Sequence, residues 1–289
     1  MTSIIDIAYL IMGLVSGGFY SLVVLGFSLG WAVSKMPDIS YIMFIYLAGE
    51  ITAIFNKMFG VEPLLLSPLI MGLFFGLGVF MYKVFVSFLN RRVSEPGLVG
   101  LTLTFGLGII LENLMIVIFT PDFKSATSAY VLRVGDMTLT IYHVLALPMA
   151  IVVSLLLYFL IFKTRWGILL RASIQEPIGA AICGIESEKL RMIMYGIAYS
   201  IGGFAGTLLP ILQYVQPSAS WGIMPISFII AILGGVGSII GTAIIGIIIG
   251  LIASYSSVFL PAAWVSTELF LVLVIILLVR PRGLFKGLG

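Results

Sequence analysis

Charge is scarce in this sequence. Asp, Glu, Lys and Arg make up 9% of its residues, where a soluble domain carries about 25%. So few charges cannot coat a water-facing surface, which excludes an ordinary soluble fold. Cysteine is nearly absent as well. Cys183 stands alone, which excludes an internal disulfide and a multi-cysteine metal centre. His143 is the single histidine and opens an apolar stretch, where a satisfied interfacial ring is the ordinary reading and a catalytic base the rarer one. No H-E-x-x-H, nucleophile elbow or paired-Asp motif occurs, so metalloprotease and hydrolase chemistry lack their residues. A P-loop is missing too, so the chain has no such route to ATP hydrolysis. The first apolar stretch begins at Ile4 without a basic leader and reads as a retained helix rather than a cleaved signal.

What is present is apolar length. Hydrophobic residues make up 61% of the chain, and a bilayer core needs about 20 apolar residues of helix. Spans are expected near 4–34, 39–56, 62–90, 97–120, 143–163, 188–212, 224–236, 239–258 and 262–279. The fold class is an all-α membrane protein, a polytopic bundle of about eight to nine spans in a single domain over 1–289. The 224–236 stretch is too short to cross alone and is expected to be a broken or half-helix buried in protein.

The basic residues are sorted. Lys35, Lys83, Arg91, Arg92, Lys163, Arg165, Arg171, Lys189, Arg191, Arg280, Arg282 and Lys286 fall on one set of loops, and Lys57, Lys124 and Arg133 on the other. The positive-inside rule makes the first set cytoplasmic. A multi-pass protein of the cell (plasma or inner) membrane is expected, with the C-terminus inside and, after nine crossings, the N-terminus outside. The outer connection 121–142 is expected to hold a short ordered hairpin.

The chain also repeats itself. Gly17-Gly18-Phe19, Met36-Pro37, Ile39-Ser40-Tyr41-Ile42 and Leu47-Ala48-Gly49 are echoed in order by Gly202-Gly203-Phe204, Met224-Pro225, Ile226-Ser227-Phe228-Ile229 and Leu233-Gly234-Gly235. An odd number of spans between the copies inverts the second. The halves would be about 1–163 and 188–289, and inverted repeats around a midplane pathway are a transporter architecture. Glycines four apart (13/17, 26/30, 72/76, 202/206, 237/241 and 246/250) are the spacing that lets membrane helices approach closely.

Three carboxylates lie within apolar stretches: Glu50, Glu112 and Glu268. A charge there costs about 3 kcal/mol on insertion scales, so such residues face a bundle interior or a wet path. No basic residue stands at matching depth in the sequence as a partner. The Leu233–Ser238 run (LGGVGS) breaks two apolar segments and permits unwound backbone near a ligand. Gly17, Gly18, Tyr41, Glu112, Gly234, Gly235 and Gly237 are therefore the candidate pathway residues.

The 164–187 segment is too polar to span, yet it places Leu169, Leu170, Ile174, Ile178, Ala181 and Ile182 at near-helical spacing. Pro177 divides it into two short amphipathic pieces, and Gly184 is expected to close the second in the left-handed cap position. Such a segment must dock on a soluble partner, on the membrane surface or on the protein's own helix ends.

The stretches 13–29 (GLVSGGFYSLVVLGFSL), Arg165–Ile185, 232–241 (ILGGVGSIIG) and 278–285 (LVRPRGLF) resemble the permeases of branched-chain amino-acid type ABC importers, a family that includes urea and amide permeases. The resemblance implies that Arg171, Ala172, Glu176, Ala180, Ala181, Gly184 and Ile185 belong to a cytoplasmic coupling helix seated on an ATPase subunit. It implies a second permease, the same or different, two cytoplasmic ATPase subunits that hold ATP and Mg, and an extracytoplasmic solute-binding protein. The chain itself would bind no cofactor and no metal. Its partners would be these subunits and membrane lipid, with no nucleic acid. The solute would be an amino acid or a related amide such as urea. One stretch departs from the family: where it shows Asn-Phe-Ala-His-Gly, this chain reads Asp38-Ile39-Ser40-Tyr41-Ile42, which loosens the inference to substrate. A stand-alone transporter driven by an ion gradient is the rival reading. A membrane-embedded enzyme is a third, and it lacks a converging set of catalytic groups.

Overall fold

The structure is a computed structural model. It describes residues 2–93, 95–126, 131–134, 137–259, 261–280, 283–285 and 287, with side chains for these except 2–8, 131–134, 137–139, 262, 263, 265 and 266. Asp136, Arg282, Lys286 and the Arg133 side chain therefore lie outside the description.

The apolar stretches become helices α1 (Thr2–Ser34), α2 (Ser40–Phe59), α3 (Pro63–Met81), α4 (Ser87–Arg92), α5 (Pro96–Phe119), α6 (Ile141–Lys163), α7 (Arg165–Gln175), α8 (Pro177–Ile182), α9 (Ser187–Leu212), α10 (Ser220–Gly234), α11 (Ile239–Phe259) and α12 (Ala262–Val279). A π turn at Tyr82–Val86 joins α3 to α4, giving one 30-residue span, Pro63–Arg92. Eight spans among the described residues are long and apolar enough to cross a bilayer, and the described part of α12, Thr267–Val279, is a shorter apolar helix. Strands β1 (Val131–Val134) and β2 (Met137–Thr140) pair antiparallel, Val131 opposite Thr140, and form the expected hairpin. His143 closes the turn into α6, its Nδ1 2.6 Å from Thr140 Oγ1.

Local chemistry sets the ends. Pro63, Pro96 and Pro177 are first residues of their helices, where a missing N–H costs nothing and φ is already helical. The element expected over 224–236 starts earlier than expected. A 3-10 turn at Pro217–Ala219 leads into α10, and the span runs over 18 residues, Pro217–Gly234. Ser218, Ser220 and Trp221 dilute the apolar signal of its first turns. Pro225 thus lies inside α10, whereas Pro37 lies between α1 and α2. The Met-Pro dipeptide thus stands in different settings at its two occurrences.

The bundle is organised around α9. Of its apolar span 72% is buried, against 17% for α5, so α9 is the hub and α5 presents most of its surface outward. Helix α9 packs on α1, α2 and α3, and α1 packs most extensively on α11. Helix α1 runs antiparallel to α9, with Gly26 against Ala198 and Gly30 against Tyr195, and antiparallel to α11, with Gly13 against Leu251 and Gly17 against Ile247. The glycine spacing marks these crossings. The pair Gly72 and Gly76 does not: a Cβ there would meet nothing within 4 Å, so that stripe faces outward.

The two ends of the bundle carry the two sets of basic residues. Arg91 pairs with Glu188, and Arg191 donates to the Ser173 carbonyl of α7. Lys57 and Lys124 line one cavity of about 500 Å³ at the other end.

Candidate functional site

At the basic end the amphipathic segment folds as two helices. Thr164 caps α7, its Oγ1 accepting from the Gly167 N–H at 3.2 Å. Leu170, Ser173 and Ile174 turn inward, while Trp166 and Ile168 are exposed. Helix α8 ends as expected. Gly184 has φ +76°, its N–H reaches the Ala181 carbonyl at 3.0 Å, and the Ile185 N–H reaches that of Ala180 at 3.0 Å. These two bonds are a Schellman cap. The protein's own helix ends cover Leu170, Ile174 and Ala180, but Ile178 is 73% and Ile182 82% exposed. Of the expected coupling residues, Glu176, Ala181 and Gly184 are exposed, Arg171, Ala172 and Ile185 half-buried, and Ala180 buried. The Arg171 guanidinium lies 4.9 Å over the Phe162 ring.

The expected pathway residues are distributed over several places. Gly17 and Gly18 are at helix crossings, where an added Cβ would come 2.7 Å from Ile247 Cα and 2.8 Å from Leu147 Cα. Gly234, Gly235 and Gly237 form the break between α10 and α11. Gly235 and Gly237 take φ +80° and +82°, and the Gly237 N–H donates to Ser28 Oγ at 2.7 Å. The C-terminal tail folds back onto this break: the Leu284 N–H donates to the Leu233 carbonyl at 2.9 Å, and a Cβ on Gly235 would lie 2.2 Å from the Phe285 carbonyl oxygen. Leu284 and Phe285 of the LVRPRGLF stretch thus meet the LGGVGS run. Glu112 is half-buried on α5 and accepts from Trp221 Nε1 of α10 at 2.6 Å.

Tyr41 belongs to a cluster that the sequence did not reveal. Asp38, in the loop between α1 and α2, is 4% exposed. Its Oδ1 accepts from Ser40 Oγ at 2.6 Å, and its Oδ2 accepts from Tyr195 Oη and Tyr199 Oη, each at 2.5 Å. Tyr41 Oη donates to the Ala198 carbonyl at 3.2 Å, and its ring meets Tyr199 edge-on at 5.4 Å. Among the described residues no ion pair involves Asp38. Among the described residues, hydroxyls satisfy this buried carboxylate.

The profile of the family described as branched-chain amino acid transport system, permease component, matches residues 9–279. The chain belongs to that family. The permease is 28% identical over 274 residues to a probable branched-chain amino acid transport permease LivH of Methanocaldococcus jannaschii, covering 91% of this chain and 87% of that one. It is 22% identical over 291 residues to the high-affinity branched-chain amino acid transport permease BraD of Pseudomonas aeruginosa, covering 95% and 94%. It is 30% identical to LivH of Escherichia coli K12 over 122 residues, 42% of this chain and 40% of that one. No solved structure matches the chain. The permease is a non-catalytic transport component of a membrane.

One expectation about the permease fails. Glu50 does have a basic partner. It is fully buried on α2, and Lys124 Nζ lies 3.0 Å from its Oε2. Lys124 comes from the connection after α5, which is pinned across the bundle end: its N–H donates to the Val215 carbonyl at 2.9 Å and its carbonyl accepts from the Val215 N–H at 2.8 Å. Sequence separation hid the pair, because the connection after α5 folds back onto α2. Glu268 is in no ion pair among the described residues, and its Oε2, like Glu50 Oε1, is enclosed there without a hydrogen-bond partner. Removing one member of a buried pair leaves an uncompensated charge, at a cost of about 3–5 kcal/mol. Lys124 is 20% exposed, so the lower end applies. Lys124→Met should lower the melting temperature of the detergent-solubilised permease, and Glu50→Gln added to it should restore most of the loss. Equal melting temperatures for wild type and Lys124→Met would show that the pair carries no stability.

Proposed function

We propose that the permease is the channel-forming subunit of an ATP-driven importer for a small amino acid, branched-chain type, or a related amide, and that α7–α8 is its cytoplasmic docking element for an ATPase. The carrying observation is the uncovered apolar surface of Ile178 and Ile182 beside Ala181 at the basic end. Burying both side chains would contribute about 3–6 kcal/mol before association costs. A stand-alone ion-driven transporter has no use for that surface. The partners are a second permease, two ATPase subunits holding ATP and Mg, and an extracytoplasmic solute-binding protein. The basic end is cytoplasmic. The antiparallel course of α1 and α9 agrees with an inverted repeat. Transport is a rigid-body exchange between outward and inward states driven by the ATPases.

The lone thiol tests the arrangement without mutation. Cys183 is exposed at the end of α8. A membrane-impermeant maleimide should label it in inverted vesicles and not in intact cells, and bound ATPase subunits should protect it. Labelling in intact cells would reverse the topology. Labelling unchanged by the ATPases would remove α8 from the interface. In proteoliposomes carrying all subunits, leucine uptake should require ATP and the binding protein; uptake driven by an ion gradient alone would favour the rival transporter.

A further inference from the structure

Asp38 and its tyrosines sit on a mechanical line to the docking element. Arg191, Tyr195 and Tyr199 are four residues apart on α9, so they stack along one face of that helix. Arg191 grips the Ser173 carbonyl of α7. Tyr195 and Tyr199 grip Asp38, about 6 and 12 Å further along at 1.5 Å per residue. One straight face of the most buried helix therefore runs from the α7–α8 segment to the α1–α2 loop. That loop holds Lys35 at φ +62° and Pro37. The ring of Tyr82, in the π turn, lies 5.7 Å from Tyr195, and π turns concentrate at functional sites.

The chemistry of the grip suits making and breaking. A carboxylate held by a buried cation would leave an unpaired charge on each side when separated. Asp38 is held by Ser40, Tyr195 and Tyr199 hydroxyls, which water can replace on both partners if the loop and α9 part. The tyrosine rings are also close, with centroids of Tyr195 and Tyr199 5.2 Å apart, so both hydroxyls arrive together.

Resting on the importer reading above, we propose that Asp38, Tyr195 and Tyr199 form an internal latch: positioning residues that tie the α1–α2 loop to α9 in this state and release it when ATPase movement of α7–α8 displaces α9. Loss of the latch uncouples hydrolysis from transport while leaving assembly intact.

The test uses the full assembly in proteoliposomes, reading solute uptake and ATP hydrolysis together. The Tyr195→Phe/Tyr199→Phe variant removes both hydroxyls but strands a buried carboxylate. The triple variant with Asp38→Asn removes the charge as well, so recovery of a folded assembly is expected. Tyr46→Phe is the control. Tyr46 is buried and donates to the Ala219 carbonyl at 3.2 Å, outside the latch. The triple variant should keep ATP hydrolysis stimulated by the binding protein and lose uptake per ATP by roughly tenfold or more, the factor carried by hydrogen bonds to a charged group. Tyr46→Phe should keep the wild-type ratio. A wild-type ratio in the triple variant overturns the latch. So does failure of the triple variant to assemble, because the hydroxyls are then structural only. If wild-type protein shows no ATP-dependent uptake, the importer reading fails instead.

Discussion

Gly184→Val and Ala181→Glu are each expected to abolish ATP-driven uptake while the permease still inserts and folds. Gly184 holds φ +76° with open space around its Cα, so the penalty of valine is conformational and not steric crowding. A β-branched residue in the left-handed region loses at least ~1–2 kcal/mol, and the Schellman cap that aims Ile185 is lost with it. Ala181 works differently. It is exposed between Ile178 and Ile182, and a glutamate there puts a charge into the surface to be desolvated. The measurement is co-purification of the ATPase subunits with each variant, with uptake in ATP-loaded vesicles alongside. Retained ATPase binding and uptake in both variants would sink the docking assignment of α8.

The other large effect is expected at the crossing of α1 and α11. An added Cβ on Gly250 would lie 2.2 Å from the Gly17 nitrogen and 2.3 Å from its Cα. The obstacle is backbone, so no rotamer change relieves it. Gly250→Val should cost more than the ~1–3 kcal/mol of ordinary overpacking and remove the monodisperse peak of the purified permease on size exclusion. Gly76→Val is the matched control, because a Cβ there meets nothing within 4 Å. A normal Gly250→Val profile would mean that the two helices can separate without loss of fold.

What the sequence revealed was periodic or local. Apolar length located the spans, the Lys and Arg pattern separated the two ends, and the Pro177 and Gly184 punctuation outlined α8 together with its cap. The glycine spacing marked real crossings at Gly17 and Gly250, but the same spacing at Gly72 and Gly76 faced outward, since spacing alone does not say what a helix face meets. The start of α10 was hidden by Ser218, Ser220 and Trp221. The polar contacts at depth were not legible. Glu50 meets Lys124, and Asp38 meets Tyr195 and Tyr199, only because distant segments fold onto α2 and α9. Asp38 stood out as a departure from the family pattern, yet nothing local pointed to tyrosines 157 and 161 positions away.

The packing of α1 against α11 also sets an order of events at the ribosome. Gly17 and Gly250 touch across 233 positions of chain, and synthesis at ~5–20 residues per second separates their emergence by roughly ten to fifty seconds. For that interval the Gly13 and Gly17 end of α1 waits without its α11 partner. A nascent chain that stalls before α11 leaves α1 without its principal neighbour.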